Sequence, residues 1–217
     1  MNISHAYPFI AFAAIAASVV GIVVYLNYKR RTQIAALAAS IGLLFSKEGP
    51  AQAELEATGL EIFKRGHSRK ASNMIKTSAS AGQFAFFDYG YTTGGGRNST
   101  AHRLTLALIE CSCLAPNFDL KPESFIYKVG EMIGFKDIDL PAFPLFSDKY
   151  RLTGADEAAV RMFFNPERAA WFERNLGLRV QGSGKYFVFF KREGHLPVSG
   201  WPAFIEEAKI FAAEALK

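Results

Sequence analysis

An apolar run without any charged side chain covers residues 8–28 of the sequence. As a helix that rises 1.5 Å per residue, a run of this length extends about 30 Å, which matches the hydrocarbon core of a bilayer. Three cations, Lys29, Arg30 and Arg31, follow it directly. The pattern predicts a transmembrane anchor that ends in a basic stop, and it assigns residues 1–31 to this anchor.

A cleavable signal peptide is the alternative interpretation of this segment. Signal peptides carry positive charge ahead of their apolar part, but residues 2–7 contain neither Lys nor Arg. Positive residues beside a membrane span stay on its cytoplasmic side. We therefore expect a single-pass protein of the bacterial cytoplasmic (inner) membrane, with its N-terminus outside and its C-terminal domain in the cytosol.

The next segment, residues 32–60, is predicted to connect the anchor to a folded domain. Apolar positions recur at helical spacing over residues 32–45, which indicates an amphipathic helix. Whether this helix continues from the anchor or breaks near Arg30 stays open. Residues 46–60 are polar and small, so we interpret them as a linker with room for a short helix around residues 53–57.

Residues 61–217 are predicted to form one α+β domain. Three apolar, β-branched and aromatic segments alternate with short glycine-containing turns and indicate an antiparallel meander: residues 74–80, 83–93 and 100–113. Strands that come in hairpins, instead of alternating one-for-one with helices, favour α+β over a parallel α/β sheet.

The second half of the domain mixes helices with shorter strands. Helices are predicted over residues 123–134, after Thr153 as N-cap, after Asn165-Pro166, and over residues 201–217. Pro141 and Pro144 are predicted to bracket an irregular segment, and a strand is predicted over residues 149–153. A second hairpin is predicted around Gly182-Ser183-Gly184-Lys185.

Three segments resemble signatures of a family of uncharacterised bacterial proteins: residues 65–73 (RGHSRKASN), 87–98 (FDYGYTTGGGRN) and 149–157 (KYRLTGADE). Members of that family look like short membrane proteins with a single anchor and one cytosolic domain of unknown function. The resemblance covers nearly the whole chain after the anchor. It implies domain identity, and it carries over no catalytic residue, cofactor or partner.

Composition sets limits on the class of protein. All 25 Lys and Arg and all 20 Asp and Glu lie after residue 28, at a density typical of a soluble domain. Half of the residues are apolar and 20 are Phe, which excludes a disordered chain. No later uncharged stretch is long enough for a second span, so a multi-span membrane protein is excluded.

A glycine run, Gly94-Gly95-Gly96, invites a phosphate-loop interpretation. A Walker loop needs a Lys after its last glycine and then a helix, whereas here Arg97 follows and a strand is predicted next. A plain hairpin turn explains the glycines.

Cys111 and Cys113 share one strand face, but a structural zinc site needs a second ligand pair. We therefore expect two reduced thiols, and neither a metal nor a cofactor.

Asp88 is the carboxylate in the least usual setting, because it lies in the middle of a predicted strand between two aromatic residues. A carboxylate there must be paired or hydrogen-bonded. The candidate partners are Arg69, Arg97 and Arg103. A structural ion pair is favoured over a general base, since a perturbed carboxylate alone is weak evidence for catalysis.

Basic residues concentrate in two short segments: Lys29, Arg30 and Arg31 after the span, and Lys64, Arg65, Arg69 and Lys70 before the meander. We interpret the seven as a candidate surface for lipid headgroups or another polyanion. A solvated face is the alternative. Nucleic acid is disfavoured as a partner, because no aromatic stacking motif accompanies the net charge of +5.

These observations predict a non-catalytic accessory or interaction protein, held in the lipid bilayer by residues 8–28, with a protein partner that the sequence does not identify. The alternative is a membrane-tethered enzyme or ligand-binding domain. Such a domain would use the Asp88 face or the Gly94–Gly96 loop.

Overall fold

The computed structural model describes the backbone of residues 7–123, 137–191 and 193–216, and the side chains of these residues from position 14 onward. Its first element is one continuous helix, α1 (Tyr7–Ser40). The predicted anchor and most of the predicted amphipathic helix are therefore one element without a break at Arg30. The helix ends earlier than predicted, because Gly42 adopts a left-handed backbone (φ 70°) and turns the chain into a strand.

Six strands form one antiparallel sheet: β1 (Leu44–Glu48), β2 (His67–Ala79), β3 (Gly82–Thr93), β4 (Thr100–Pro122), β5 (Tyr150–Gly154) and β6 (Arg179–Phe190). The first four pair consecutively. Along β4, the long central strand, β6 occupies one edge, whereas β3 and then β5 occupy the other. The α+β class and the predicted meander are confirmed.

The ribbon formed by β4 and β6 curls strongly. Their register is irregular between Glu110 and Ala115 and again between Ala115 and Phe118. Arg179, at the start of β6, stacks over the ring of Phe190 at its end, with 5.0 Å between the guanidinium carbon and the ring centre. In a straight strand the two residues would lie about 35 Å apart. The sheet is therefore a trough, and Arg179 lies on its concave face.

The second hairpin predicted around residues 182–185 is wrong. These residues lie within β6, which pairs with β4 on both sides of them. Gly182 has no room for a Cβ, because the ring of Phe118 packs on its backbone. Gly184 has φ 55° at the irregular part of the register. The glycines therefore allow close packing and a bend in a continuous strand.

Each face of the sheet has its own apolar core. The convex face is covered by the buried part of α1 and by four later helices: α3 (Pro144–Lys149), α4 (Glu157–Phe163), α5 (Pro166–Arg174) and α6 (Trp201–Ala215). The concave face is covered by α2 (Gln52–Ala57) and a 3-10 turn (Glu61–Lys64). Residues 46–60, predicted as a linker, are thus part of the folded domain, and Leu55 among them is fully buried.

Helix starts follow local capping. Asn165 caps α5 as predicted, since its side chain accepts a hydrogen bond from the Arg168 amide at 2.9 Å. The cap predicted for the preceding helix is wrong: Asp156 caps α4, and Thr153 lies in β5. Asp156 accepts from the Ala159 amide at 2.9 Å.

Two further predictions concern the rest of this half. Pro141 and Pro144 bracket an irregular segment, as predicted, and the helix α3 begins at Pro144, because the first turn of a helix needs no amide hydrogen from a proline. The C-terminal helix is confirmed as α6, and the apolar side chains of its inner face are buried: Trp201, Phe204, Ile205, Ala208, Phe211 and Ala215. The helix predicted over residues 123–134 lies outside the described residues from position 124 onward.

Candidate membrane-proximal site

Arg30 points from α1 to the sheet and forms a two-pronged ion pair with Asp88 of β3. Its Nε donates to Oδ2 and its Nη2 donates to Oδ1, each at 2.7 Å. Its Nη1 donates to the Leu196 carbonyl at 2.9 Å. Because a planar guanidinium holds a carboxylate in one orientation, this contact fixes α1 against the sheet in rotation as well as in position.

Every lone pair of the Asp88 carboxylate is used. The side chain is only 2% exposed, and besides the two bonds from Arg30 it accepts from Asn73 Nδ2 at 3.0 Å and from Thr105 Oγ1 at 2.9 Å. Four bonds saturate a carboxylate, so no acceptor position is left for a general base. The predicted ion pair is confirmed, but its partner is Arg30 and none of the three proposed arginines: Arg69, Arg97 and Arg103.

The two halves of α1 have opposite surroundings. Ile34 and Ala38 are fully buried in the convex core. Side chains from 14 to 29 are all exposed, and the large apolar ones from Ile15 to Tyr28 are between 44% and 64% exposed. A continuous apolar surface of this size is typical of a membrane or protein contact.

Within the part of the chain whose side chains the structure describes, no helix combines the length and the apolar character needed to cross a membrane. The predicted span begins at Pro8, and the side chains of residues 8–13 lie outside that part. The transmembrane anchor and its orientation stay predictions.

The direction of α1 defines one end of the domain. Its C-terminal end leads into Leu44, which lies opposite Lys76 of β2. Arg30 binds Asp88, which pairs with Ser72 of β2. Toward its N-terminus, α1 therefore follows β2 backwards, and it leaves the domain at the end of the sheet where β2 begins.

Among the residues that the structure describes, four cations lie around this exit. Lys70 and Arg103 both pair with Gly90, two residues from Asp88, so they lie on the face of the sheet that binds α1. Both are exposed, as is Lys29, whereas Arg31 is half-buried. We call this group the basic collar: Lys29, Arg31, Lys70 and Arg103.

The other residues of the predicted lipid surface lie elsewhere. Lys64 pairs with Glu61 at 3.0 Å, and Arg69 pairs with Glu56 at 3.2 Å while it also donates to the Phe63 carbonyl. These partners belong to the segment that covers the concave face. Arg65 is half-buried on the same side, near Tyr91 and Asp119. Burial raises the pKa of Tyr91, and the charge of Arg65 opposes this in part. The structure thus divides the seven predicted residues among the concave side, the collar and the Asp88 ion pair.

His195 stands next to the Asp88 ion pair. Burial lowers the pKa of its imidazole below the usual 6.5, a smaller effect of Asp88 opposes this, and the charges of Arg30 and Arg103 lower the pKa further. The fold therefore favours the neutral imidazole at this junction.

The Gly94–Gly96 loop is a hairpin turn, as predicted. Gly94 and Gly96 adopt left-handed backbone conformations with φ of 76° and 57°. The loop bonds to itself: the Asn98 amide donates to the Gly95 carbonyl at 3.1 Å, and the Ser99 hydroxyl donates to the Gly96 carbonyl at 3.0 Å. Its residues are exposed, and they join β3 to β4.

Cys111 and Cys113 are free thiols on the convex side of β4. Burial raises the pKa of both. The Arg168 Nη2 lies 3.6 Å from the Cys113 sulfur. Across the described ranges, no three or more His, Cys, Asp and Glu side chains are grouped so that they could hold a metal ion.

Comparisons with known proteins bear on the fold. No protein-family model and no curated protein matches this chain. Among solved structures, the crystal structure of the mycobacterial trehalose monomycolate transport factor A, TtfA, is similar, with a TM-score of 0.55 and 11% sequence identity. The match covers 85% of this chain and 92% of that chain. At this identity the likeness shows a shared fold, and the family resemblance of the three sequence segments stays a prediction.

Proposed function

We propose that this protein is a non-catalytic, lipid-associated accessory protein of the bacterial cytoplasmic membrane. One N-terminal helix anchors it, and the α+β domain is held at the membrane surface in a fixed orientation. The single observation that carries the proposal is the junction in α1: an exposed apolar half continues without a break into a half that is fixed to the sheet by Arg30 and Asp88.

The physical argument starts from the continuity of the helix. A domain that is joined to its membrane anchor by a flexible linker can rotate freely relative to the bilayer. Here the helix is continuous from Tyr7 to Ser40, and Ile34, Ala38 and Arg30 bind it to the domain. Any orientation that the membrane imposes on α1 is thus passed on to the sheet.

The basic collar supports contact with anionic lipid. If the apolar half of α1 occupies the bilayer, the collar lies at headgroup level, because Lys29 and Arg31 directly follow that half. Each Lys or Arg near an anionic surface contributes about 1 kcal/mol of attraction. Lys70 and Arg103 add to the two cations of the helix only because the fold brings β2 and β4 to its exit.

The similar structure supports a role with lipids at the level of analogy. That protein is named as a transport factor for trehalose monomycolate, and its fold matches most of both chains. For the chain described here, we propose association with lipid and support of another membrane protein.

The alternative, an enzyme that uses the Asp88 face or the Gly94–Gly96 loop, has less support. Asp88 is saturated by four hydrogen bonds, and the loop bonds to itself at the surface. The other part of this alternative, a ligand-binding domain, is supported by a different observation, a cavity on the concave side.

Lysine acetylation in vesicles tests the proposal. The full chain is reconstituted in phosphatidylcholine vesicles with or without phosphatidylglycerol, and the acetylation rate of each lysine is measured by mass spectrometry. We expect the anionic lipid to slow the acetylation of Lys70 several-fold, because headgroups cover the collar. Lys76, exposed at the far end of the same strand, should react at the same rate in both vesicles.

A charge-reversal variant provides the control. Arg103→Glu should reduce the protection of Lys70 and leave Lys76 unaffected. If anionic lipid left the acetylation rate of Lys70 unchanged, as expected for Lys76, the proposed position of the domain would be contradicted.

A further inference from the structure

A row of polar side chains crosses the concave face at the far part of the sheet. Asp119 of β4 lies directly opposite Thr153 of β5 on one side and Gln181 of β6 on the other. Directly paired residues project to the same face. The Gln181 Oε1 accepts from the Ile62 amide at 2.9 Å, which places the row beneath the segment that covers the concave face.

Two members of this row, Asp119 and Gln181, each have an unused polar atom. Asp119 Oδ2 binds Lys121 at 3.1 Å and Arg179 at 3.4 Å, but Oδ1 has no hydrogen-bond partner among the described residues. Gln181 Nε2 and Arg179 Nε likewise have none in the described ranges. The side chains are 4% exposed for Asp119 and 1% for Arg179, and Gln181 is 1% exposed. Leaving such buried atoms unpaired lowers the stability of the fold, so a bound group that pairs with them is favoured.

A cavity of about 250 Å³ lies beside this row, and Asp119 and Gln181 are among its lining residues. The lining also includes Thr153, the carboxylate of Glu61, and the apolar residues Leu60, Phe118 and Ala155. The volume is below that of a typical drug-sized pocket, about 300–1,000 Å³, so it fits a single small ring or a short chain.

The charges around the cavity select the chemistry of the occupant. Burial alone would raise the pKa of Asp119, but Arg179, Lys121 and Arg65 together hold it below its usual value, so the carboxylate is ionised. An ionised Asp119 repels an anion and needs a hydrogen-bond donor. Glu61, the other carboxylate of the lining, pairs with Lys64 at 3.0 Å, and Arg179 and Lys121 offset the charge of Asp119, so a cation is not favoured. Gln181 Nε2 needs an acceptor.

A hydroxyl group satisfies both requirements, because it donates and accepts at the same atom. Two hydroxyls on adjacent carbons can bind Asp119 Oδ1 and Gln181 Nε2 together. We propose that this cavity binds a compact polyhydroxyl group, either a free polyol or sugar or the same group as the headgroup of a lipid. The proposal is independent of membrane anchoring, because none of these residues belongs to α1 or to the collar.

Saturation-transfer NMR on the full chain tests the site. The protein is kept in a polyoxyethylene detergent, because glycosidic detergents would compete for the cavity. The probes are methyl glucoside, myo-inositol and octyl glucoside below its micelle concentration, with sulfate and choline as charged controls. We expect saturation transfer to at least one polyhydroxyl probe and none to choline, and no displacement by sulfate. Binding of octyl glucoside alone identifies a lipid headgroup, whereas equal binding of methyl glucoside identifies a free polyol.

Two variants assign the binding to the cavity. Gln181→Glu keeps the acceptor for the Ile62 amide but removes the Nε2 donor, and it should weaken binding about tenfold. Ala155→Trp fills the cavity from an exposed position and leaves every residue of the polar row unchanged, and it should abolish binding. Ala158→Trp, exposed on α4 outside the cavity, is the matched control and should bind normally.

Three results would overturn the proposal. The first is no saturation transfer to any polyhydroxyl probe, which would mean that water alone occupies the cavity. The second is displacement of the probe by sulfate or binding of choline, and the third is undiminished binding by Ala155→Trp. The circular dichroism spectrum of each variant shows that it is folded before binding is compared.

Discussion

At the scale of single residues, the contact between Arg30 and Asp88 decides how the N-terminal helix meets the domain. The carboxylate lies in the middle of a strand, and the guanidinium comes from a helix 58 positions earlier in the chain. Buried pairs of this kind contribute little net stability compared with an apolar pair of the same shape, but they determine orientation. The loss of one partner is costly, because it leaves the other charge buried and uncompensated.

The first prediction concerns Asp88→Asn. The variant keeps the shape of the side chain but leaves Arg30 without its counter-charge, so the free energy of unfolding should fall by about 3 kcal/mol. Urea unfolding of the detergent-solubilised chain, followed by tryptophan fluorescence, measures it. The control is Lys29→Ala. Lys29 is exposed and adjacent to Arg30 in the sequence, so this variant should change the free energy of unfolding by less than about 0.5 kcal/mol.

The second prediction concerns His195 and pH. Its folded pKa lies below its unfolded value of 6.5, so the stability that it contributes is fully present above pH 6.5 and is lost as the pH falls through the folded pKa. The free energy of unfolding should therefore decrease between pH 7 and pH 5. In His195→Gln this decrease should be smaller, and an identical pH dependence in the two proteins would contradict the assignment.

At the scale of elements, the curl of β4 and β6 determines what the sheet can enclose. In a flat ribbon Arg179 and Phe190 would lie about 35 Å apart. The irregular register and the glycines let β6 bend until the two side chains are in contact. The bend gives the sheet a concave face, which buries an apolar cluster at one end and the Asp119 row at the other.

The third prediction tests the packing of this element. Leu106 of β4 is fully buried on the concave face, so Leu106→Ala should lower the free energy of unfolding by about 2–5 kcal/mol through lost contacts and a cavity. Chemical denaturation measures the difference. Leu114 lies on the same strand and is 74% exposed, and Leu114→Ala should have an effect within about 0.5 kcal/mol. Equal losses for the two variants would mean that β4 is not packed as described.

At the scale of the whole molecule, the proposed arrangement is an apolar helix in the bilayer, a collar at the headgroups and a domain beyond them. The cations Lys29 and Arg31 favour the cytoplasmic side for the domain, because translocating them costs energy against the membrane potential. The two free thiols agree with a reducing compartment, where disulfides are rare.

The fourth prediction concerns topology. Green fluorescent protein fused after Lys217 should fluoresce, alkaline phosphatase at the same place should stay inactive, and both fusions should remain in the membrane after alkaline carbonate washing. Val20→Lys combined with Val24→Lys should release the protein, whereas the matched pair Val20→Leu and Val24→Leu should not. Active alkaline phosphatase would indicate the opposite orientation, and release of the unmodified protein by the washing would contradict the predicted anchor.

Much of the fold could be predicted from local patterns. The meander follows from alternating apolar segments and glycine turns, α5 follows from Asn165 and Pro166, and α6 follows from its helical spacing. Each of these signals acts between neighbours along the chain, so no distant contact is needed to interpret it. The exposed apolar surface of α1 is equally a property of its own residues.

Only the tertiary structure decided how distant segments meet. The sequence indicates that Asp88 needs a partner, but any arginine could serve, and a contact over 58 positions leaves no spacing to detect. The two glycines of β6 are typical of a turn when considered alone, and it is pairing with β4 on both sides that keeps the strand continuous. The Asp119 row exists because three strands place one polar residue each at the same level of the sheet. The physical reason is the same in every case: local patterns fix the type of an element, whereas register, curl and charge pairing depend on the burial that elements achieve together.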